Sequence, residues 1–488
     1  MKGQILSNRQ WLYALFLIPS VLAFTFRAES FPGIQALLSL TIFWLGVVPG
    51  ILYLRRPIEL RPPFPFLALT GLFYGIFYGG SSFLIFLLRG DSDMYPQDIR
   101  IAMYVDAYIE NIKTEAQYLV IAGMIIMFLA WVIIKKALIL NCPRFHYSQS
   151  ISDRALIYAA WGLAFGNLAH WWFDEVRLLP SIGQFLQPAG FVAFATFYLL
   201  KAEGRLPRMH GLTYFLIILP LWITQILVSG LLTSIILIIV LWFALRISIN
   251  GRIPWKSILM AIILFSLTYP VLHIYRTGPW QTRSNTSTPF VIQRVLGFVD
   301  TISQTASNFR THIENNLYVP QGLVRRLSHI SIFTHVIEST PEKVPYWDGK
   351  TFGTLISNWV PRVVWHDKPK EIWGNEFGQR YGILAKNDTS TSLNIPWIIE
   401  LYANFGRSGV YIGMALFGVF LGFFDRFLNI TGSGVVVRAV GTGLLLPLFY
   451  QESNFTLMTG SLVMQIFIMW LYFFVVNYAF AALNVRRH

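Results

Sequence analysis

The sequence predicts an all-α, polytopic integral membrane protein with about twelve transmembrane helices and one large, partly helical loop on the outer side. Three observations predict it. Apolar residues make up 55% of the 488 and charged ones 13%, with a mean hydropathy of +0.54, whereas a soluble domain carries about 25% charge. Apolar runs of the roughly twenty residues that cross a bilayer recur along the whole chain. Lys and Arg crowd alternate connections between those runs, as they do where loops face the cytoplasm.

In order, the spans fall near 11–27, 33–54, 64–88, 117–134, 155–172, 182–200, 211–228, 231–246, 257–275, 408–427, 437–451 and 460–483. With Lys2 and Arg9 inside, the inner connections hold Arg55, Arg56 and Arg61, then Lys135, Lys136, Arg144 and Arg154. Lys201, Arg205 and Arg208 follow, then Arg246, Arg252 and Lys256, then Arg426 and Arg438, and finally Arg486 and Arg487. The short outer connections at 27–30, 174–180, 228–230 and 452–454 are acidic or nearly uncharged. A missing or extra helix would break the alternation, which puts both termini in the cytoplasm. The 16 Trp and 22 Tyr suit a chain with many membrane–water interfaces.

Composition also excludes some classes. A single cysteine, Cys142, forbids an intramolecular disulfide framework and a cysteine metal cage. The net charge of +14 is met largely by inner flanks, so it does not call for nucleic acid. No signal-peptide cleavage pattern follows the first apolar run near Trp11.

Three regions result. Residues 1–275 carry nine spans and an outer interfacial segment at 89–116, residues 276–400 form the large outer loop, and 401–488 carry the last three spans. A loop that long should hold elements of its own. Residues 321–338 read as an amphipathic helix, with Leu323, Leu327, Ile330 and Ile337 on one face and Arg325 and His329 on the other. Pro320 marks its start and STPEKVP its end.

The chemistry-bearing residues collect in that loop. From Arg276 to Asp388 it has thirteen Lys/Arg against nine Asp/Glu, a net of about +4 on the side where short loops are not basic. Charge on a solvated face is ordinary, and long translocated segments escape the charge bias. Eight arginines in one outer segment nonetheless suit an anionic ligand, because guanidinium forks bind phosphate bidentately and stay charged when desolvated. In PRVVWHDKP, Arg362, His366, Asp367 and Lys368 lie between Pro361 and Pro369, which stiffen the backbone. Trp359, Trp365 and Trp373 suit interface anchoring or stacking on sugar rings. Glu400 precedes the tenth span, where a lone carboxylate is costly, so it pairs with a cation or accepts protons. Glu452 sits between the last two spans, and Arg276 directly follows the ninth.

Over residues 320–425, the run RRLS, TPEKVPYWDGKTFG, PRVVWHDKP, a Gly/Tyr segment with Tyr381, and ELYANFGRSG resembles the Wzy-type O-antigen or oligosaccharide repeat unit polymerases. The resemblance implies a bacterial inner-membrane glycosyltransferase whose large loop is periplasmic. Its substrates would be oligosaccharide repeat units on undecaprenyl pyrophosphate, with no nucleotide sugar, metal or other cofactor. A flippase and a chain-length regulator of the same pathway would be partners, alongside the lipid bilayer. Such a reaction needs cations for the pyrophosphate and a base for the attacking hydroxyl. By that resemblance Arg325, Arg326, Arg362 and Lys368 are pyrophosphate candidates, with Arg276 added by position. Glu400 and His366 are base candidates, with Arg362 also catalytic and Glu452, Trp365 and Tyr381 nearby.

Competing readings remain. Asp91-Ser92-Asp93 is an outer D-x-D that a metal-dependent, lipid-donor glycosyltransferase would use. An O-antigen ligase shares the donor but differs in acceptor. A lipid-linked oligosaccharide flippase suits twelve spans, but the central spans carry few ionisable residues, His170 lies near a span end, and the halves do not repeat.

Overall fold

A computed structural model describes residues 33–83, 112–137, 145, 147, 151–176, 188–230, 232–277, 290–307, 327–355, 357–359, 365, 373–389 and 391–485. The helices are α1 (Gly33–Arg55), α2 (Phe66–Phe83), α3 (Thr114–Lys136), α4 (Asp153–Val176), α5 (Ala189–Ala202), α6 (Arg208–Ser229), α7 (Leu232–Asn250) and α8 (Trp255–Thr277). In the loop come α9 (Phe290–Ser307), α10 (His329–Ser339) and α11 (Trp373–Arg380). The last group is α12 (Trp397–Leu428), α13 (Val435–Leu445), α14 (Phe455–Thr459) and α15 (Leu462–Val485). No strand occurs among the described residues.

Seven of these helices are long and apolar enough to cross a membrane: most of α1, then α2, α3, α6, most of α7, α12, and α14 continuing into α15. Helices α5 and α13 and the start of α8 are apolar but shorter. The expected span at 155–172 lies on α4, and the one at 11–27 lies outside the described residues. The expected span at 437–451 is interrupted: α13 stops at Leu445, and a short 3-10 turn, Pro447–Phe449, follows. Proline lacks the N–H that would continue the ladder. Between α6 and α7 the chain reverses at Gly230, whose φ of 73° ends α6 in the left-handed conformation that glycine adopts without strain.

Helices α3 and α12 form the backbone of the bundle, running side by side in the same direction. At one end Arg407 Nε donates to Glu115 Oε1 at 2.7 Å. At the other, buried Asp425 takes Trp131 Nε1 (3.1 Å), Asn429 Nδ2 (2.7 Å) and the ammonium of Lys135. Between them, Gly418 and Gly422 let the backbones meet: a Cβ on Gly418 would lie 2.3 Å from Met127 O. Small residues are the usual means of close helix approach where lipid offers no hydrophobic drive.

Connections that the sequence puts on the inside gather at the Asp425 end. Asn429 binds both backbone groups of Phe64, and Arg61 Nη1 donates to Gly251 O. Arg205 reaches Asp153 and Glu203, and Glu203 also meets Arg438. The opposite end holds Lys113, which pairs with Glu338 at 3.2 Å, together with Arg407, α10 and the 451–454 turn.

The described part of the large loop is not a separate body. Ile330, Phe333, Val336 and Trp347 belong to the same buried cluster as Val120, Met124 and Ile398. The expected amphipathic helix at 321–338 appears as α10 from His329 to Ser339; residues 321–326 lie outside the described ones. Its facing also differs. His329 is buried alongside Ile330, because α10 is covered on more than one side and has no wet face at its start.

Candidate functional site

Helix α12 is in fact two helices. At Gly406 the backbone adopts φ 65° and ψ −151°, a region essentially confined to glycine. The segment 397–405 folds back, so that a Cβ on Gly413 would collide with Leu401 Cδ2 at 2.1 Å. Trp397 consequently packs on Phe417 (ring centroids 4.9 Å), and Phe417 stacks on Phe455 (4.5 Å). That leaves 407–428, about 33 Å at 1.5 Å per residue, as the membrane-length piece.

This folded-back segment carries Glu400, fully buried. Its Oε2 accepts the backbone N–H of Phe455 at 2.7 Å, at the start of α14. One turn on, Asn404 Nδ2 donates to Glu400 O (2.8 Å) and Thr351 Oγ1 (2.9 Å), and its Oδ1 accepts Gly349 N–H (2.9 Å). Thr456 Oγ1 closes the ring by donating to Thr351 O at 2.7 Å. Glu400, Asn404 and Thr456 together therefore tie three stretches of chain, 349–351, 397–405 and 454–456, into one buried knot.

Glu452 lies in the same 451–454 turn. Its Oε1 is 3.7 Å from Nε2 of His329, and both side chains are at least nine-tenths buried. The imidazole is walled by aromatic rings: Phe77 (4.8 Å), Tyr78 (5.7 Å) and Phe73 (5.9 Å). All three rings come from α2, and Phe77 and Tyr78 lie where it widens into a π-helical segment, Gly75–Gly80, a feature frequent at functional sites. Tyr74 Oη donates to Gln451 Oε1 at 2.7 Å, and Tyr74 stacks on Tyr78. Among the described residues, three buried polar atoms here have no hydrogen-bond partner: His329 Nδ1, Tyr78 Oη and Gln451 Nε2. An unmet buried polar group costs about 1–3 kcal/mol, so each of the three calls for a partner.

Residues 114–480 match the family model described as a domain of unknown function (DUF8712). The chain belongs to the DUF8712 family. No curated protein and no solved structure matches it. The DUF8712 region contains His329, Glu400 and Glu452, whereas the aromatic wall of α2 lies outside it.

The other sequence candidates fall as follows in this DUF8712 chain. Tyr381 is buried past the end of α11, its hydroxyl 2.8 Å from Thr340 Oγ1 and its carbonyl 2.8 Å from His335 Nε2. Burial pushes its phenol above the ordinary tyrosine value, and the Thr340 bond opposes that in part. Trp365 is 43% exposed. Arg276 lies on the last turn of α8. Arg325, Arg326, Arg362, His366 and Lys368, together with Asp91 and Asp93, lie outside the described residues. Among the described residues no group of three or more His, Cys, Asp or Glu could hold a metal ion.

Two residues of this buried cluster escaped the sequence. His329 reads as a solvated helix residue until the aromatic wall is seen, and Gln451 reads as ordinary loop polarity. The available signal was adjacency: His329 follows the Arg325/Arg326 pair by one turn, and Gln451 precedes Glu452.

Proposed function

We propose that this protein is a bacterial inner-membrane polysaccharide polymerase. In this reading it joins oligosaccharide repeat units carried on undecaprenyl pyrophosphate, with twelve spans, cytoplasmic termini and the large loop in the periplasm. The observation that carries the reading is the buried His329–Glu452 pair, with its unpartnered polar neighbours, at the bundle end where the charge alternation puts the outer side.

The acceptor hydroxyl attacks the anomeric carbon of the growing chain. A C–O bond forms there, and the bond from that carbon to the pyrophosphate oxygen breaks. The hydroxyl proton passes to His329 Nδ1, and Glu452 beside Nε2 stabilises the imidazolium. Tyr78 Oη and Gln451 Nε2 are donors that orient the acceptor oxygen. Glu400 holds the turn that carries Glu452. Arg276, Arg325, Arg326, Arg362 and Lys368 supply the cations that the departing pyrophosphate needs.

Purified protein given a lipid-pyrophosphate-linked oligosaccharide in EDTA tests this. A ladder of chain lengths that disappears in Arg362→Ala supports the polymerase. One transferred block on a different acceptor would make it a ligase. Movement of the lipid across a vesicle bilayer with no new glycosidic bond would make it a flippase.

A further inference from the structure

Helix α9 opens the large loop and has three distinct faces. Gly297, Thr301 and Thr305 are packed inward, and the two threonine hydroxyls are satisfied by carbonyls four residues back at 2.7 Å each. Phe298 meets Tyr275 edge-on (5.2 Å) and packs on Leu272. Tyr275 Oη donates to Val228 O (2.7 Å) and Arg294 O (3.2 Å), clamping α9 across the ends of α6 and α8. Those ends are the ones remote from Asp425, since α6 begins next to the Arg205 network.

A second face is apolar and open. Ile292, Val295, Leu296, Val299 and Ile302 are 45%, 36%, 60%, 58% and 45% exposed. They follow at helical spacing and form one stripe about 15 Å long. Asp300 and Gln304 are exposed along its flank, and Gln304 Nε2 bonds Asp300 Oδ2 at 2.8 Å. Along α6, an apolar helix long enough to cross a membrane, and the apolar start of α8, Leu216, Leu221, Ile263 and Leu264 are likewise exposed. Held in water, such a contiguous stripe would be an aggregation site.

We propose that α9 lies in the plane of the membrane, its stripe in the acyl-chain layer and its Asp300–Gln304 flank in the headgroup water. The occupant of the stripe is bilayer lipid. Its packing across the ends of α6 and α8, whose own exposed residues are apolar, selects lipid, together with the polar flank on one edge only. The first helix of the large loop is thus a membrane element rather than part of a water-borne domain. This does not rest on the reaction proposed above.

The full chain is reconstituted in phosphatidylcholine vesicles in a Cys142→Ser background, with single labels at Val299→Cys or Gln304→Cys. A fluorophore at Val299→Cys is expected to be quenched several-fold more by acyl-chain nitroxide than by iodide, and the preference should reverse at Gln304→Cys. Leu296→Cys replaces Val299→Cys if that variant misfolds. Equal iodide quenching at both positions overturns the proposal. So does protection from both quenchers with a Val299–Val299 cross-link, which marks contact with a second copy.

Discussion

Glu400 and Glu452 are both buried carboxylates at the same turn, yet their partners differ in kind. Glu400 accepts a backbone N–H, a bond that an amide oxygen also accepts, while Glu452 faces an imidazole. Glu400→Gln should therefore keep this bond and melt above Glu400→Ala. Glu400→Ala strands the Phe455 N–H and should cost about 1–3 kcal/mol, read as a lower melting temperature in detergent. Equal melting of both variants would mean that the bond does not matter. Both carboxylates were legible from sequence because charge at a span end is conspicuous. His329 was not. Helical periodicity assigns one wet and one dry face, and α10 violates it because loop, α2 and α3 cover it from several directions.

The bend at Gly406 is the feature of α12 with the sharpest consequence. A side chain there meets both a strained backbone and the Tyr346 hydroxyl at 2.6 Å. Gly406→Ala should lose about 1–3 kcal/mol, visible as a fall in melting temperature. An unchanged melt would show that the two halves do not fold back. The sequence offered no sign of the reversal, since WIIELYANF at 397–405 reads as a helical lead-in to the span it abuts. At the other end, Glu203 joins α5 to α13. Burial raises its pKa, but bonds from Arg205 and Arg438 outweigh that and hold the carboxyl below its ordinary value. A depressed folded-state pKa gives stability that is complete above the ordinary carboxylate value and is lost as pH falls through the folded one. Acid melting below about pH 4 should accordingly be less steep in Glu203→Gln than in wild type. Identical acid limbs would remove Glu203 from the tie.

Across the whole molecule, apolar runs located the seven membrane-length helices because burial in lipid demands long apolar runs whatever the tertiary contacts. They did not reveal α9, whose mix of apolar and polar residues lacks a span's hydropathy, nor the docking of the loop into the bundle core. Convergence of 349–351, 397–405 and 451–456 depends on side-chain bonds between distant segments, which no local pattern encodes. The two-ended architecture predicts that Lys113→Cys and Lys136→Cys, in a Cys142→Ser background, react with an impermeant thiol reagent from opposite sides of sealed vesicles. Labelling from the same side would mean that α3 does not cross the membrane.

The central claim is that His329 and Glu452 move the proton in a glycosyl transfer. Its most direct test is a side-by-side chain-extension assay of wild type, Glu452→Gln and Glu400→Gln on a lipid-pyrophosphate-linked oligosaccharide, each shown to be folded by its melt. The account predicts that Glu452→Gln slows ladder formation about a hundredfold or more while Glu400→Gln stays near wild type. A Glu452→Gln ladder that forms at the wild-type rate would contradict it.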